Sequence, residues 1–444
     1  MSIPSPVTRS NFRSLYADVA WFGVLAGSAV AFLNIYAARL GAGAIAIGLL
    51  TAGPAVINLL FSLPSGRWLE GRPLIPITFW SAVLARLGYV LMIFLPWLAA
   101  GQAQVGWLVA LTLLFSAPGV LLAISFNSLL AEVVPVELRA EVVGRRNALL
   151  AITQTLVTLV SGQVLDRLAF PLNYQVVFAI GAVGGLLSAW YLGRLRVDPQ
   201  LAGREARPAL PDLALTSGSV GGPPEGDLPE QAPGEPRPAE RRGAAPAAQL
   251  IRQLSRPARA LNLELLRGPF GRFMAAYLLF YTFQNLAFPL FPIRLVNTLQ
   301  LNDGMIALGN ALFYATMFLV SLRLGWLARR FGHHRLLWSS GMALSLYPLL
   351  IGLAGGVPLY LAASLVGGVV WGVLSASLAN RLMERVPAES RPAGMAFHNL
   401  SYNLGILIGS LSGPLLGGVF GIQETILAAA GLRLLAGVLL LVWG

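Results

Sequence analysis

The chain has 444 residues, of which 56% are hydrophobic and 11% charged, and its mean hydropathy is +0.70. Because a water-soluble domain could not carry so apolar a composition, we expect a polytopic protein of the lipid bilayer. The net charge of +12 would suit nucleic acid, but the arginines lie between apolar stretches and not on one polar domain, which argues against that partner. With no cysteine and three histidines, the sequence predicts no disulfide, no metal site and no cofactor.

Twelve apolar windows follow one another, each near the roughly 20 residues that cross a bilayer. They predict an all-α membrane protein with twelve transmembrane helices, arranged as two sets of six. The windows cover residues 14 to 37, 44 to 65, 74 to 96, 105 to 130, 143 to 165, 172 to 193, 270 to 293, 304 to 327, 335 to 354, 358 to 380, 393 to 420 and 424 to 443.

A polar stretch separates the two sets of windows. It holds ten prolines between Pro199 and Pro246 and few periodic apolar residues, a composition typical of disorder. We therefore predict three parts: a six-helix half over 1–193, a disordered cytoplasmic linker over 194–268, and a second six-helix half over 269–444.

The arginines are distributed unequally between the two sides of the predicted membrane. One side keeps only Arg39, Arg167 and Arg294, whereas the side with the linker holds the others outside the spans. Because basic loops stay in the cytoplasm, both termini and the linker are predicted to be cytoplasmic. We expect the protein in the cell membrane, the inner or plasma membrane.

An internal repeat relates the two halves. The loop after span four reads VPVELRAEVVGRRN from residue 134, and the loop after span ten reads VPAESRPAGMAFHN from residue 386. Pro135, Glu137, Arg139 and Asn147 thus recur as Pro387, Glu389, Arg391 and Asn399 at constant spacing. Two repeats of six spans in one orientation predict a parallel pseudo-twofold with a path between the halves.

The repeat and two loops resemble the major facilitator superfamily. Its signature after the second span of each half has a counterpart in GWLARRFGHHR from Gly325, with Arg329 in place of the acidic residue, and a weaker one in GRWLEGRP from Gly66. The resemblance implies a monomeric secondary transporter that moves a small-molecule substrate by alternating access. The family's antiporter pattern occurs at Gly409, Gly413 and Pro414, but in span eleven, where we interpret it as helix packing.

Several functions remain open within that resemblance. Few charges and many aromatic residues favour efflux of amphipathic organic compounds, with protons as the candidate coupling ion. Uptake of a nutrient such as a sugar, or transport of a lipid-like solute, is the alternative. A non-transporting receptor or a membrane-embedded enzyme fits less well, because the sequence shows no nucleotide-binding loop, catalytic triad or clustered carboxylate pair.

Candidate substrate-binding residues lie on the helices that the family places at its cavity. In span seven, aromatic and amide residues share one helical face, which suits a ligand with an apolar body and polar groups. Hydrogen bonding to neighbouring helices would explain the same pattern. The candidates are Tyr277, Tyr281, Gln284, Asn285 and Phe288 in span seven, Trp371 in span ten, and His398 and Tyr402 in span eleven.

Asp18 is the candidate proton-coupling residue. A charge inside a span is costly and is kept for a reason, and Phe22, Leu25 and Ala29 would share its helical face. The alternative is an acid in the first helical turn with Ser14 as its cap. Arg86 and Arg433 also fall within spans, where we expect pairing, water contact or snorkelling.

The repeated loops carry the candidate gating residues Glu137, Arg139, Glu389 and Arg391. Matching charges at both repeat ends could pair across the pseudo-twofold when the halves approach. Topology signals and helix capping would explain them equally well.

The arginine distribution generates a labelling prediction. A cysteine introduced between residues 198 and 246 of this cysteine-free chain should be unreactive to an impermeant thiol reagent in intact cells. The same cysteine should react once the cells are permeabilised. Labelling of intact cells would contradict the predicted orientation.

Overall fold

The computed structural model describes residues 5–197, 266–386 and 391–444, and the long elements within these ranges are all helices. Twelve of them are long and apolar enough to cross a membrane, as predicted, and the short helix Leu324–Phe331 lies between the eighth and the ninth. The predicted linker falls mostly on residues 198–265, which lie outside the described residues. The spans are α1 (Pro6–Arg39), α2 (Ala44–Leu69), α3 (Leu74–Leu98), α4 (Gly101–Val133), α5 (Val136–Arg167), α6 (Leu172–Leu192), α7 (Pro269–Thr298), α8 (Asp303–Ser321), α9 (His333–Leu353), α10 (Val357–Arg385), α11 (Arg391–Phe420) and α12 (Ile422–Trp443).

Helix α1 begins earlier than its apolar window. The hydroxyl of Ser5 accepts a hydrogen bond from the Thr8 N–H at 3.1 Å, and Pro6 occupies the first helical position, where its missing N–H costs nothing. The start predicted at Ser14 is therefore wrong, because this cap lies upstream of the apolar residues.

The two ends of the bundle differ in how the halves meet. With twelve spans, α1 begins and α12 ends on the same side, which we call the terminal face; the opposite side is the distal face. Toward the distal face, Phe32 and Tyr36 of α1 share one apolar core with Ile293 of α7 and Ile306 of α8. Toward the terminal face, the described residues form separate cores, one within α1–α6 and one within α7–α12. The halves thus share one apolar core distally, whereas toward the terminal face each half has an apolar core of its own.

Helix α7 is interrupted between Ala287 and Leu290. Pro289 has no N–H to continue the helical ladder, so the chain turns before a short helix and a π-helix at Arg294–Thr298 complete the span. A break inside a membrane leaves carbonyl groups that need other donors. Arg433 of α12 supplies them, donating from Nε to the Phe283 carbonyl at 3.4 Å and from Nη2 to the Gln284 carbonyl.

The terminal part of α7 packs against α11 at backbone distance. Gly409 and Gly413 face this contact, and a Cβ added to either would collide with the backbone of α7. The glycines therefore serve helix packing here, as the sequence interpretation held.

A methyl group at Gly413 should weaken this contact. We expect Gly413→Ala to lower the free energy of unfolding by about 1 to 3 kcal/mol, the usual cost of overpacking, because the new Cβ would overlap the Leu286 carbonyl. Gly418→Ala is the matched control, since no atom lies within 4 Å of a Cβ at that position. Thermal unfolding of both purified variants measures the effect, and equal midpoints would contradict the packing role.

Candidate functional site

Four ring side chains from α7 and α11 form one contiguous group, which we call the aromatic cluster: Tyr277, Tyr281, His398 and Tyr402. The ring centroids of Tyr277 and Tyr281 lie 4.8 Å apart, and those of Tyr281 and Tyr402 lie 4.7 Å apart. The His398 ring is parallel to the Tyr402 ring at 6.4 Å, and its Nε2 shares a hydrogen bond with the Tyr277 hydroxyl. The structure thus joins residues that the sequence placed on two separate helical stripes.

Members of the aromatic cluster differ in how they can contact a ligand. Tyr277, Tyr281 and His398 are buried in the core of the C-terminal half, whereas Tyr402 is half-buried at its edge. The Tyr277 hydroxyl also donates to the Tyr281 hydroxyl at 3.3 Å. This hydrogen-bonded chain fixes the orientation of the two phenols, and Tyr402 and the edge of Tyr281 form its more open side.

The other predicted residues of α7 have different surroundings. The Asn285 amide donates to the Tyr281 carbonyl of its own helix at 2.8 Å and is buried. Gln284 is half-buried, and its Oε1 has no hydrogen-bond partner among the described residues. Phe288, at the helix break, is 45% exposed. Within this stripe, Gln284 and Phe288 are therefore the side chains with unused contact capacity, and Asn285 is occupied by its own helix.

Trp371 of α10 reaches the same region. It is half-buried and packs against the core that contains the aromatic cluster. Its indole therefore borders the same apolar core from α10.

Three asparagines connect the halves where α2 packs against α11. The Asn403 amide donates to Asn58 Oδ1 at 3.4 Å and to Asn399 Oδ1 at 2.8 Å, and the Asn399 amide lies 3.5 Å from the same Asn58 oxygen. Asn399 and Asn403 are four residues apart and so lie on one face of α11, but the sequence analysis did not single out their partner Asn58. An amide in the middle of the otherwise apolar α2 was the signal that could have found it.

Asp18 lies three helical turns into α1, because that helix begins at Pro6. The alternative placement in a first turn capped by Ser14 is therefore wrong. The carboxylate is 3% exposed and pairs with Arg146 of α5, with 3.0 Å between Oδ2 and Nη2. Its other oxygen accepts from Ser188 of α6 at 2.5 Å, and Ser188 in turn accepts from Arg86 of α3 at 2.8 Å. Asp18 thus points into the N-terminal half, and Arg86 is held there by the Ser188 hydroxyl and does not snorkel.

The predicted gating residues are described only in part. Arg139 donates to the carbonyls of Ala131 and Val134 at 2.6 and 3.1 Å and so caps the end of α4, while Glu137 is exposed. Capping is therefore one role of Arg139 in this conformation. Glu389 and the side chain of Arg391 lie outside the described residues, and pairing across the terminal face stays a prediction.

An ion pair joins the halves at the distal face. Arg39, at the end of α1, donates from Nε and Nη2 to Asp303 Oδ1 of α8 at 3.1 and 3.0 Å, and from Nη2 to the Leu301 carbonyl at 2.6 Å. Nearby, Asp166 of α5 accepts from the Gly304 N–H, near the beginning of α8, at 2.9 Å. The sequence analysis used Arg39 only to assign the orientation in the membrane. It did not predict the pair of Arg39 with Asp303, although charges are few at the distal face.

The fold and the placement of these groups define a class of protein. Twelve spans in two halves that share an apolar core at one face, with asparagines in contact between the halves, fit the architecture of a membrane transporter. The sequence matches the profile of the Major Facilitator Superfamily over residues 19–284 and 273–444. The chain therefore belongs to this superfamily, whose members transport small molecules and are not enzymes.

Solved structures share the fold at low sequence identity. A D-xylose-proton symporter is 14% identical with a TM-score of 0.68, covering 98% of this chain and 97% of its own. A bacterial homologue of the human lysosomal transporter Spinster is 12% identical with a TM-score of 0.66, covering 99% and 98%. The nucleoside transporter NupG is 12% identical with a TM-score of 0.62, covering 99% of both chains. No curated relative matches the chain in sequence.

The distal ion pair should hold the observed conformation. Hydrogen bonds to charged groups contribute about 1.5 to 3 kcal/mol, so Asp303→Ala should raise the population with an open distal face about tenfold or more. The readout is the labelling rate of Val296→Cys, whose native side chain is buried in the shared core of this cysteine-free chain.

Glu384→Ala is the matched control for that measurement, because it breaks an ion pair confined to α10, Arg381 with Glu384 at 2.7 Å. Exchanging the charges of Arg39 and Asp303 should restore slow labelling in part. Unchanged labelling in Asp303→Ala would show that the shared apolar core alone closes the distal face.

Proposed function

We propose that this protein transports a small ring-shaped organic solute with several hydrogen-bonding groups, by alternating access between two halves. The observation that carries the proposal is the aromatic cluster of α7 and α11 beside the asparagines that join α2 to α11. Aromatic faces bind an apolar ring, while amides orient hydroxyl or amide groups on its edge. Sugars and nucleosides have this combination of surfaces.

Each candidate residue has a distinct role in this proposal. Tyr402, Trp371 and Phe288 supply apolar contact, since each retains exposed surface. Gln284 supplies an acceptor, because its Oε1 is otherwise unpaired in the described part of the chain. Tyr277, His398 and Asn285 position the others from within the core. The names of structurally similar transporters, which include a xylose symporter and a nucleoside transporter, agree with uptake of such a solute.

Efflux of amphipathic compounds is the second candidate. The exposed ring of Phe288 and the partly exposed Trp371 favour it, because an extruded amphipathic compound needs apolar contact more than hydrogen bonds. If the terminal face is cytoplasmic, as the arginines predict, the distal contacts close the outward side in the observed conformation, and both directions of transport include such a state.

Counterflow in proteoliposomes distinguishes these functions. Vesicles containing the purified protein and loaded with one unlabelled compound should accumulate the labelled form transiently if that compound is a substrate. The panel should comprise pentoses, hexoses, nucleosides and cationic amphipathic dyes, with empty vesicles as the control. Counterflow of dyes alone would favour efflux, and no counterflow of any compound would contradict the proposed solute.

Substitutions on α7 test the binding surface. Gln284→Ala and Tyr281→Ala should each weaken affinity for the counterflow substrate about fivefold to tenfold, equivalent to roughly 1 to 1.4 kcal/mol. Expression and thermal stability should stay normal for Gln284→Ala, since its side chain makes no hydrogen bond within the described protein.

Gln175→Ala is the matched control, because that amide is bonded to the Ile93 carbonyl within the N-terminal half at 2.9 Å. Substrate competition curves measure affinity in all three variants. If both α7 variants keep the native affinity, the substrate must bind at another helical face.

We further propose that a proton couples transport through Asp18. Protonation would remove the charge that holds Arg146, so the ion pair between α1 and α5 would weaken in one state of the cycle. Asp18→Asn, which mimics the neutral form, should abolish accumulation driven by a proton gradient and spare counterflow. Gradient-driven accumulation by this variant equal to that of the native protein would exclude Asp18 as the coupling site.

A further inference from the structure

The charges of three neighbouring side chains within the N-terminal half do not sum to zero. Asp18 is negative, whereas Arg86 and Arg146 are positive, so the group has one positive charge in excess. Arg86 lies near the middle of α3 and is 4% exposed, and the side chain of Arg146 is 11% exposed. A charge held away from water is stabilised only by a close partner of opposite sign. The described residues at this group contribute one such partner for two arginines.

Hydrogen bonds within the group leave donors unused. Asp18 accepts from Arg146 through one oxygen and from Ser188 through the other, and Ser188 accepts from Arg86. Nε and Nη1 of Arg86 and Nη1 of Arg146 are buried and have no hydrogen-bond partner in the described ranges. Asp18 and Ser188 are engaged by other donors of the same group and leave these three N–H groups unbonded, so a further acceptor would satisfy them.

Aromatic rings do not meet that requirement. The Phe126 ring centroid lies 4.4 Å from Arg146 Cζ, and the Phe22 centroid lies 6.0 Å from Arg86 Cζ. A ring face attracts the cation, but it offers no lone pair to the in-plane N–H groups of a guanidinium. The rings therefore lower the energetic cost of burying each guanidinium, but they do not bond its remaining N–H donors.

We propose that Arg86 and Arg146 bind a compact monovalent anion beside Asp18, either chloride or a carboxylate group. Arg146 provides the entry, because its side chain retains some exposure in the terminal part of α5. A single negative charge would balance the group and accept the free N–H donors. This site lies within α1–α6, apart from the aromatic cluster of α7 and α11, and does not depend on the solute proposed above.

The first test uses the full-length protein in detergent at constant ionic strength. Sodium chloride or sodium acetate replaces sodium gluconate, whose anion is too bulky for an enclosed site, and thermal unfolding is followed. A binding anion stabilises the folded state, so the unfolding midpoint should rise and saturate with concentration. A midpoint that is the same in chloride, acetate and gluconate would overturn the proposal.

Substitutions locate the site. Arg86→Gln removes the excess charge and should weaken the apparent affinity for the stabilising anion roughly tenfold or more. Arg433→Gln is the matched control: its arginine is equally buried in the C-terminal half but is bonded to two carbonyls, so the anion response should persist. An equal response in Arg86→Gln and the native protein would place the anion elsewhere.

A variant that binds the anion more tightly than the native protein serves as a further test, because a folding defect could not produce that result. Asp18→Asn frees a donor of Arg146 and raises the excess charge, so it should bind the same anion roughly tenfold more tightly. Weaker binding in Asp18→Asn would contradict the proposal. A transport assay then distinguishes chloride from a carboxylate as the bound anion. Uptake of labelled acetate into proteoliposomes would show that the anion is a carboxylate that the protein transports. Stabilisation by chloride without acetate uptake would show that the anion is a chloride ion that stays bound.

Discussion

The interruption of α7 at Pro289 is the constraint on which both the site and the distal closure depend. A backbone inside a membrane must satisfy its own hydrogen bonds, so a helix can break there only where another group replaces the lost donors. Arg433 performs this role by binding the carbonyls of Phe283 and Gln284. One part of α7 can then pack on α11 and hold the tyrosines, while the other turns into the core shared with α1. A straight helix could not meet both demands.

The two halves bury their charges by different means. In the C-terminal half, Arg433 donates to carbonyls at the end of a helix segment, and its guanidinium also lies 6.0 Å from the centroid of the Phe291 ring. In the N-terminal half, a carboxylate and a serine connect arginines from α3 and α5. A carbonyl partner does not titrate, whereas a carboxylate can gain a proton. The proposed coupling through Asp18 therefore assigns the titrating carboxylate to the N-terminal half.

The sequence predicted the helices well because hydrophobic length and arginine placement are local signals. It located the aromatic residues of α7 and α11 for the same reason, since a stripe is a property of one helix. The sequence could not predict which helical faces contact one another. Asn58 and Asn403 are distant in sequence, and Asp18 reaches Ser188 only through the packing of α1 on α6. The start of α1 was misplaced because the cap at Ser5 precedes any apolar residue of the window.

The chemistry of the two faces explains why the observed state is closed distally. There, Arg39 binds both the carboxylate of Asp303 and the Leu301 carbonyl, and Asp166 meets a free N–H at the first turn of α8. These contacts cross between the halves, whereas the bonds of Arg139 with Ala131 and Val134 stay within the N-terminal half. Rocking toward the opposite state must break the first set but can leave the second intact. The π-helix of α7 ends one loop before Leu301 and Asp303, so the break in α7 lies along the chain between the tyrosines of the aromatic cluster and the distal ion pair.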